Sequence, residues 1–131
     1  MPERKISHIL DTSAIIAYLA DEPGADIVAG VKDKSAIPFI ALSELYYIIF
    51  RKRGKPEADK IFGLVKSWAA SILYPQESII ITAGRFKSSY ALGIADSYIA
   101  AFAREERSIL LTKDPDYKVL QEEIMVKYLN A

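Results

Sequence analysis

Short apolar segments of β character alternate with longer stretches of helical periodicity along the whole chain, and this alternation leaves few folds open. Lys5 to Leu10 (KISHIL) reads as a strand that runs through the polar turn Asp11-Thr12-Ser13 into a helical stretch from Ala14 to Ala20. Ala25 to Lys32 can form a second helix after the Pro23-Gly24 break, and Ser35 to Phe39 is a short apolar run interrupted by Pro38. Helical patterning resumes from Ala41 to Lys52, turns at Gly54 and restarts at Pro56, continuing to about Ala70. Ser71 to Tyr74 is a candidate strand. Ser78 to Tyr90 reads as a helix, although Ile79, Ile80, Ile81 and Thr82 locally favour strand. A helix from Ala95 to Glu106, a buried strand from Ser108 to Thr112, a short helix from Pro115 to Gln121 and a final strand from Ile124 to Tyr128 complete the pattern. The expected fold is α/β, a three-layer α/β/α sandwich with a mainly parallel central sheet. Residues 1–131 are expected to form a single domain, since a chain of this length suits one core.

Composition narrows the chemistry. Seventeen Lys and Arg balance seventeen Asp and Glu, so attachment to nucleic acid by bulk positive charge is disfavoured. With no Cys and one His, a disulfide scaffold, a zinc ribbon and a thiol nucleophile are excluded. Carboxylates, hydroxyls and backbone remain. No apolar run approaches the roughly 20 residues that span a bilayer, and no secretory h-region follows a basic n-region, so the expected address is the cytoplasm with no membrane partner.

In open α/β sheets the functional crevice lies beyond the carboxyl ends of the strands. Asp11 follows the first strand and Asp114 the strand ending at Thr112, so parallel strands deliver both to one edge. Asp96 opens the helix ADSYIAAFA with Leu92, Gly93, Ile99 and Ala100 at helical spacing, and Glu44 lies within ALSELYYIIF beside Ala41, Tyr47 and Ile48. Each Asp precedes helical sequence and so also suits an N-cap. Glu44 is different: a mid-helix Glu caps nothing, and an unpaired carboxylate on an apolar face is costly unless something positive meets it. Four converging carboxylates raise one another's proton affinity unless a cation neutralises them. An all-oxygen donor set favours Mg²⁺ or Mn²⁺, and an open carboxylate-bound ion of this kind points to phosphoryl chemistry.

The segments LDTSAIIAYL, ALSELYYIIFRK, ALGIADSYIAAFA and ILLTKDPDYKVL, in this order and each in its strand or helix setting, resemble the PIN domain, in particular VapC-type toxin ribonucleases. The resemblance covers nearly the whole chain from Ile6. It implies a PIN-like α/β sandwich and a Mg²⁺- or Mn²⁺-dependent single-strand endoribonuclease, the toxin component of a VapBC-type toxin–antitoxin system. It places Asp11, Glu44, Asp96 and Asp114 on the family's four acidic positions, as catalytic and metal-binding residues. Thr112 falls on a hydroxyl position of the family, Ser13 stands where a hydroxyl often orients the first acid, and Asp116 is an additional acid ranked below Asp114. It further implies a homodimer, an RNA substrate and a cognate antitoxin. Lys113 departs from the family, whose last motif more often carries Asn there; a Lys can point to solvent or reach a substrate phosphate.

Arg51, Lys52, Arg53 and Lys55 form the densest positive cluster, about two helical turns after Glu44. They suit RNA phosphates beside the acidic site, and equally a helix C-terminus, where cations are favoured. Tyr46, Tyr47, Phe50, Phe62 and Trp68 read as core or partner interface, which an apolar antitoxin helix would cover while a basic side chain enters the acidic pocket. His8, with apolar neighbours and no nucleophile beside it, reads as structural. The alternative function is a non-catalytic PIN-like scaffold for RNA or protein. Phosphatase and receiver chemistries fit less well, since Ser13 stands where an Asp-nucleophile phosphatase needs a second acid and Pro75, with no Asp, follows the central Ser71 to Tyr74 segment.

Overall fold

The computed structural model describes residues 6–129, so Lys5 at the start of the expected first strand lies outside the described residues. Among the described residues one sheet contains β1 (His8–Leu10), β2 (Ser35–Pro38), β3 (Ser71–Leu73), β4 (Ile109–Thr112) and β5 (Val126–Tyr128). Their order is β3-β2-β1-β4-β5 and every pairing is parallel, so the sheet expected to be mainly parallel is parallel throughout. The connections hold α1 (Thr12–Leu19), α2 (Ala25–Val31), α3 (Phe39–Arg53), α4 (Lys55–Trp68), α5 (Glu77–Ser89) and α6 (Ile94–Glu106), with a 3-10 turn at Pro115–Leu120. The chain steps outward from β1 through β2 to β3, then returns past β1 to β4 and β5. Right-handed crossovers therefore put α1 to α4 on one face and α5 and α6 on the other.

A sheet covered on both faces buries most of its central strands, which is why β1 and β4 read as apolar runs and not as alternating ones. Ile9, Leu10, Ala36, Ile37, Leu110 and Leu111 are fully buried. The β-branched run of α5 is resolved by the same logic. Ile79, Ala83 and Phe86 are buried at helical spacing, while Ile80 and Ile81 face solvent. A strand would instead have buried alternate residues. At Gly24 the chain needs glycine twice over: φ is +95°, and a Cβ there would lie 2.7 Å from the Leu129 Cβ.

The direction of winding reverses between the neighbours β1 and β4, and such a reversal opens a crevice at the carboxyl ends of the two strands. The register sets Leu10 level with Leu111, so the next residues, Asp11 and Thr112, emerge side by side at that crevice.

Candidate active site

A cavity of about 240 Å³ opens at this point, lined by Asp11, Thr12, Ser13, Ile16, Glu44, Ile48, Asp96, Ile99 and Asp114. The four acids expected to converge do so, each carried by a different element. Asp11 caps α1, accepting at Oδ1 from the Ala14 N–H at 2.9 Å and from the Ser13 hydroxyl at 2.7 Å, and at Oδ2 from the Thr112 hydroxyl. Thr112 Oγ1 in turn accepts the Asp114 N–H at 2.9 Å, and Ser13 Oγ accepts the Lys113 N–H at 2.9 Å. Ser13 and Thr112 thus tie the start of α1 to the end of β4, with the first acid between them.

Glu44 projects from the middle of α3 and accepts from the Thr12 hydroxyl at 3.0 Å. Asp96 stands in the first turn of α6 and accepts from the Tyr117 hydroxyl at 3.1 Å. Asp114 caps the 3-10 turn, accepting from the Asp116 N–H at 2.9 Å. Among the described residues, the hydrogen bonds that orient these four carboxylates come from hydroxyls and backbone N–H groups. Carboxylate oxygens of Asp96, Asp114 and Asp116 lie within 4.8 Å of one another, a spacing suited to a shared metal ion. Asp116 is exposed, whereas Asp96 and Asp114 are half-buried.

The proton affinities follow from this crowding. Asp11 is only 4 % exposed, and burial pushes its carboxyl up to about 6 against the hydroxyl and N–H donors that favour its charged form. Asp96 is also raised, by burial first and then by the charges of Asp114, Glu44 and Asp116. Burial and the neighbouring acids hold the Tyr117 phenol far above its ordinary range, so it stays a donor.

Of the basic cluster, Arg51 is two turns beyond Glu44 on the same face of α3, about 10 Å along the axis. Its guanidinium donates to the Tyr47 hydroxyl at 2.9 Å and lies over that ring. At about 100° per residue, Lys52 falls to the side of that face and Arg53 opposite it. Lys55 pairs with Asp59 at 2.7 Å. Lys113, for which solvent or substrate was open, pairs with Glu22 at 3.0 Å across the loop between α1 and α2. His8 hydrogen-bonds Ser7 at the amino end of β1, away from the cavity. Among the aromatics, Tyr47 and Phe50 are exposed, while Phe62 and Trp68 pack against the core.

Two cavity contacts were missed by sequence reasoning. Thr12 carried a signal, being a hydroxyl between Asp11 and Ser13. Tyr117 carried less; only its position three residues after Asp114, a tyrosine in an otherwise core-like pattern, marks it.

The PIN domain pattern matches residues 8–123, which include all four cavity acids. The chain belongs to the PIN domain family. Among curated proteins none matches significantly. Among solved structures, this PIN domain is similar to VapBC-1 from nontypeable Haemophilus influenzae, with TM-score 0.76 and 21% identity over 95% of this chain and 98% of that one. It is similar to DNA-bound VapBC from Salmonella typhimurium, with TM-score 0.80, 16% identity and the same coverage. Mycobacterium tuberculosis VapC20, a sarcin-ricin loop cleaving toxin, gives TM-score 0.70 and 15% identity over 86% of this chain and 94% of that one. At these identities the likeness shows a shared fold, the PIN fold with its all-parallel sheet. No helix among the described residues is long and apolar enough to cross a membrane.

Proposed function

We propose that this PIN domain is a Mg²⁺- or Mn²⁺-dependent endoribonuclease acting on single-stranded RNA, the toxin component of a VapBC-type pair in the cytoplasm. The observation that carries this reading is the cavity at the β1/β4 reversal, where Asp11, Glu44, Asp96 and Asp114 converge, oriented by hydroxyl and backbone N–H donors. An all-oxygen, net-negative donor set of this kind fits a hard divalent cation, with Asp116 adding a carboxylate at the rim. Such an ion supplies Lewis acidity, neutralising phosphodiester charge and lowering the pKa of water.

The chain's own groups divide the remaining work. Asp11, Glu44, Asp96 and Asp114 would hold the cation, and Asp116 stands close enough to Asp96 and Asp114 to assist them. Ser13 and Thr112 fix the Asp11 carboxylate by one hydroxyl on each oxygen. Ile16, Ile48 and Ile99 line the cavity with apolar surface and limit its water. Arg51, with Lys52 to its side, receives RNA phosphates leading to the cavity, while Arg53 lies on the far side of α3.

VapBC complexes among the structural neighbours, some of them DNA-bound, support a cognate antitoxin, and we extend this to a homodimer of the chain. The antitoxin enters the acidic cavity with a basic side chain and covers apolar surface between Tyr46 and Trp68. Cleavage of single-stranded RNA in Mg²⁺, Mn²⁺ and EDTA tests the assignment. Asp11→Asn and Asp96→Asn should abolish the metal-dependent cuts while leaving the fold intact; retained cleavage in either variant refutes it. An intact fold that neither cuts RNA nor binds Mn²⁺ would instead favour the scaffold reading.

A further inference from the structure

Tyr117 is the largest side chain with no exposed surface, yet its hydroxyl reaches the cavity acids. A core position of this kind is ordinarily served by Phe, because a buried phenol must find a partner. Here the partner is Asp96 Oδ1 at 3.1 Å, on a helix separated from the 3-10 turn by β4. The same short turn contributes Asp114 at its cap and Asp116 in its first turn, and both have a carboxylate oxygen within 4.8 Å of one from Asp96. One rigid element thus supplies two of the three clustered acids and also the group that holds the third. The Tyr117 ring is packed in the main core with Leu110, Leu111 and Leu120, which leaves its hydroxyl little freedom to follow a moving carboxylate.

We propose that Tyr117 is a positioning residue for Asp96, holding Oδ1 so that Oδ2 is presented to a divalent cation shared with Asp114 and Asp116. This rests on the metal-dependent reading above. A carboxylate with one oxygen bonded to a fixed phenol is held in one orientation and meets a cation first through its less engaged oxygen. Partners of this kind orient metal ligands, and losing one typically weakens metal affinity about 10- to 100-fold.

The test is Mn²⁺ titration calorimetry on the whole chain. Tyr117→Phe should bind Mn²⁺ at least about tenfold more weakly than the wild type. In an Asp96→Ala background the same substitution should change affinity less than twofold, because the group it acts through is gone. Equal Mn²⁺ affinity of the wild type and Tyr117→Phe overturns the proposal while leaving the nuclease reading standing. A tenfold loss in both backgrounds also overturns it, since Tyr117 would then act through packing. No Mn²⁺ binding by the wild type overturns both readings together. Should the variant not fold, wild-type chain labelled with ¹³C at the tyrosine Cζ decides: one tyrosine signal should move on Mg²⁺ addition, and no movement overturns the proposal.

Discussion

Replacing Asp11 by Asn should make the metal-free protein more stable at neutral pH and less stable in acid. In the folded chain the Asp11 carboxyl titrates near 6 because it is buried, against an ordinary value of 3.8. Below about pH 4 it is protonated in both folded and unfolded states and costs nothing. Between about 4 and 6 the unfolded chain ionises while the folded chain holds its proton, so stability falls, and above 6 the deficit stays constant. The gap corresponds to about 3 kcal/mol. Asn cannot ionise, so it escapes this loss. Its amide oxygen can keep the Ala14 and Ser13 bonds, but the Thr112 hydroxyl, a donor to Oδ2 in the wild type, must turn and accept from the amide, at about 1 kcal/mol. Asp11→Asn should therefore be about 0.5 kcal/mol less stable than the wild type at pH 4 and about 2 kcal/mol more stable at pH 7. The raised titration of Asp96 is present in both chains and largely cancels in the difference. Urea unfolding in EDTA at pH 4, 5, 6 and 7 measures it. Two stability curves that run parallel, or a variant weaker at every pH, would refute the burial argument.

Metal should reverse this ranking: at about 100 times its Kd, Mg²⁺ or Mn²⁺ should stabilise the wild type by about 2.7 kcal/mol and Asp11→Asn by less, read as a shift in the urea midpoint. Thr112→Val leaves both Asp11 Oδ2 and the Asp114 N–H without their partner, and should cost about 2–4 kcal/mol in the same assay. Gly24→Ala combines a positive φ with a Cβ 2.7 Å from that of Leu129 and should cost at least about 2 kcal/mol; an unchanged melting temperature would show that the loop relaxes freely. Arg51→Ala should lower the slope of log RNA affinity against log salt by about 0.7, while Arg53→Ala, on the far side of α3, leaves it unchanged.

The fold was legible because its elements differ in kind. Five apolar segments too short for helices, separated by helical stretches, admit little but a parallel sheet between helical layers, and even the Ile79-Ile80-Ile81 run obeyed the wider helical pattern over its own β preference. Element ends were less legible, since α1 begins at Thr12 and α4 at Lys55, each before the residue where periodicity alone starts it. Asp11 and Asp114 were legible because strand ends are fixed by the fold, and Glu44 and Asp96 because each set a carboxylate at helical spacing from apolar neighbours. Tyr117 and the Lys113 to Glu22 pair were not, because each depends on which way a side chain crosses between elements far apart in sequence, which no local spacing records.

The sequence also posed a choice, helix cap or site acid, and the geometry leaves room for both. Asp11 caps α1 with Oδ1, and its Oδ2, held by Thr112 at the cavity wall, keeps acceptor capacity. Asp114 caps the 3-10 turn with Oδ1 and has its second oxygen free of that duty. Asp96 gives Oδ1 to Tyr117 in the same manner. In each case the fold engages the carboxylate and still leaves acceptor capacity on it, so the interactions that set the backbone also aim the charge. Capping and ligation are then two ends of one side chain. This explains why a crowd of acids can stand at the end of a buried sheet: the same N–H and hydroxyl groups that order the chain hold the carboxylates in place until a cation neutralises them.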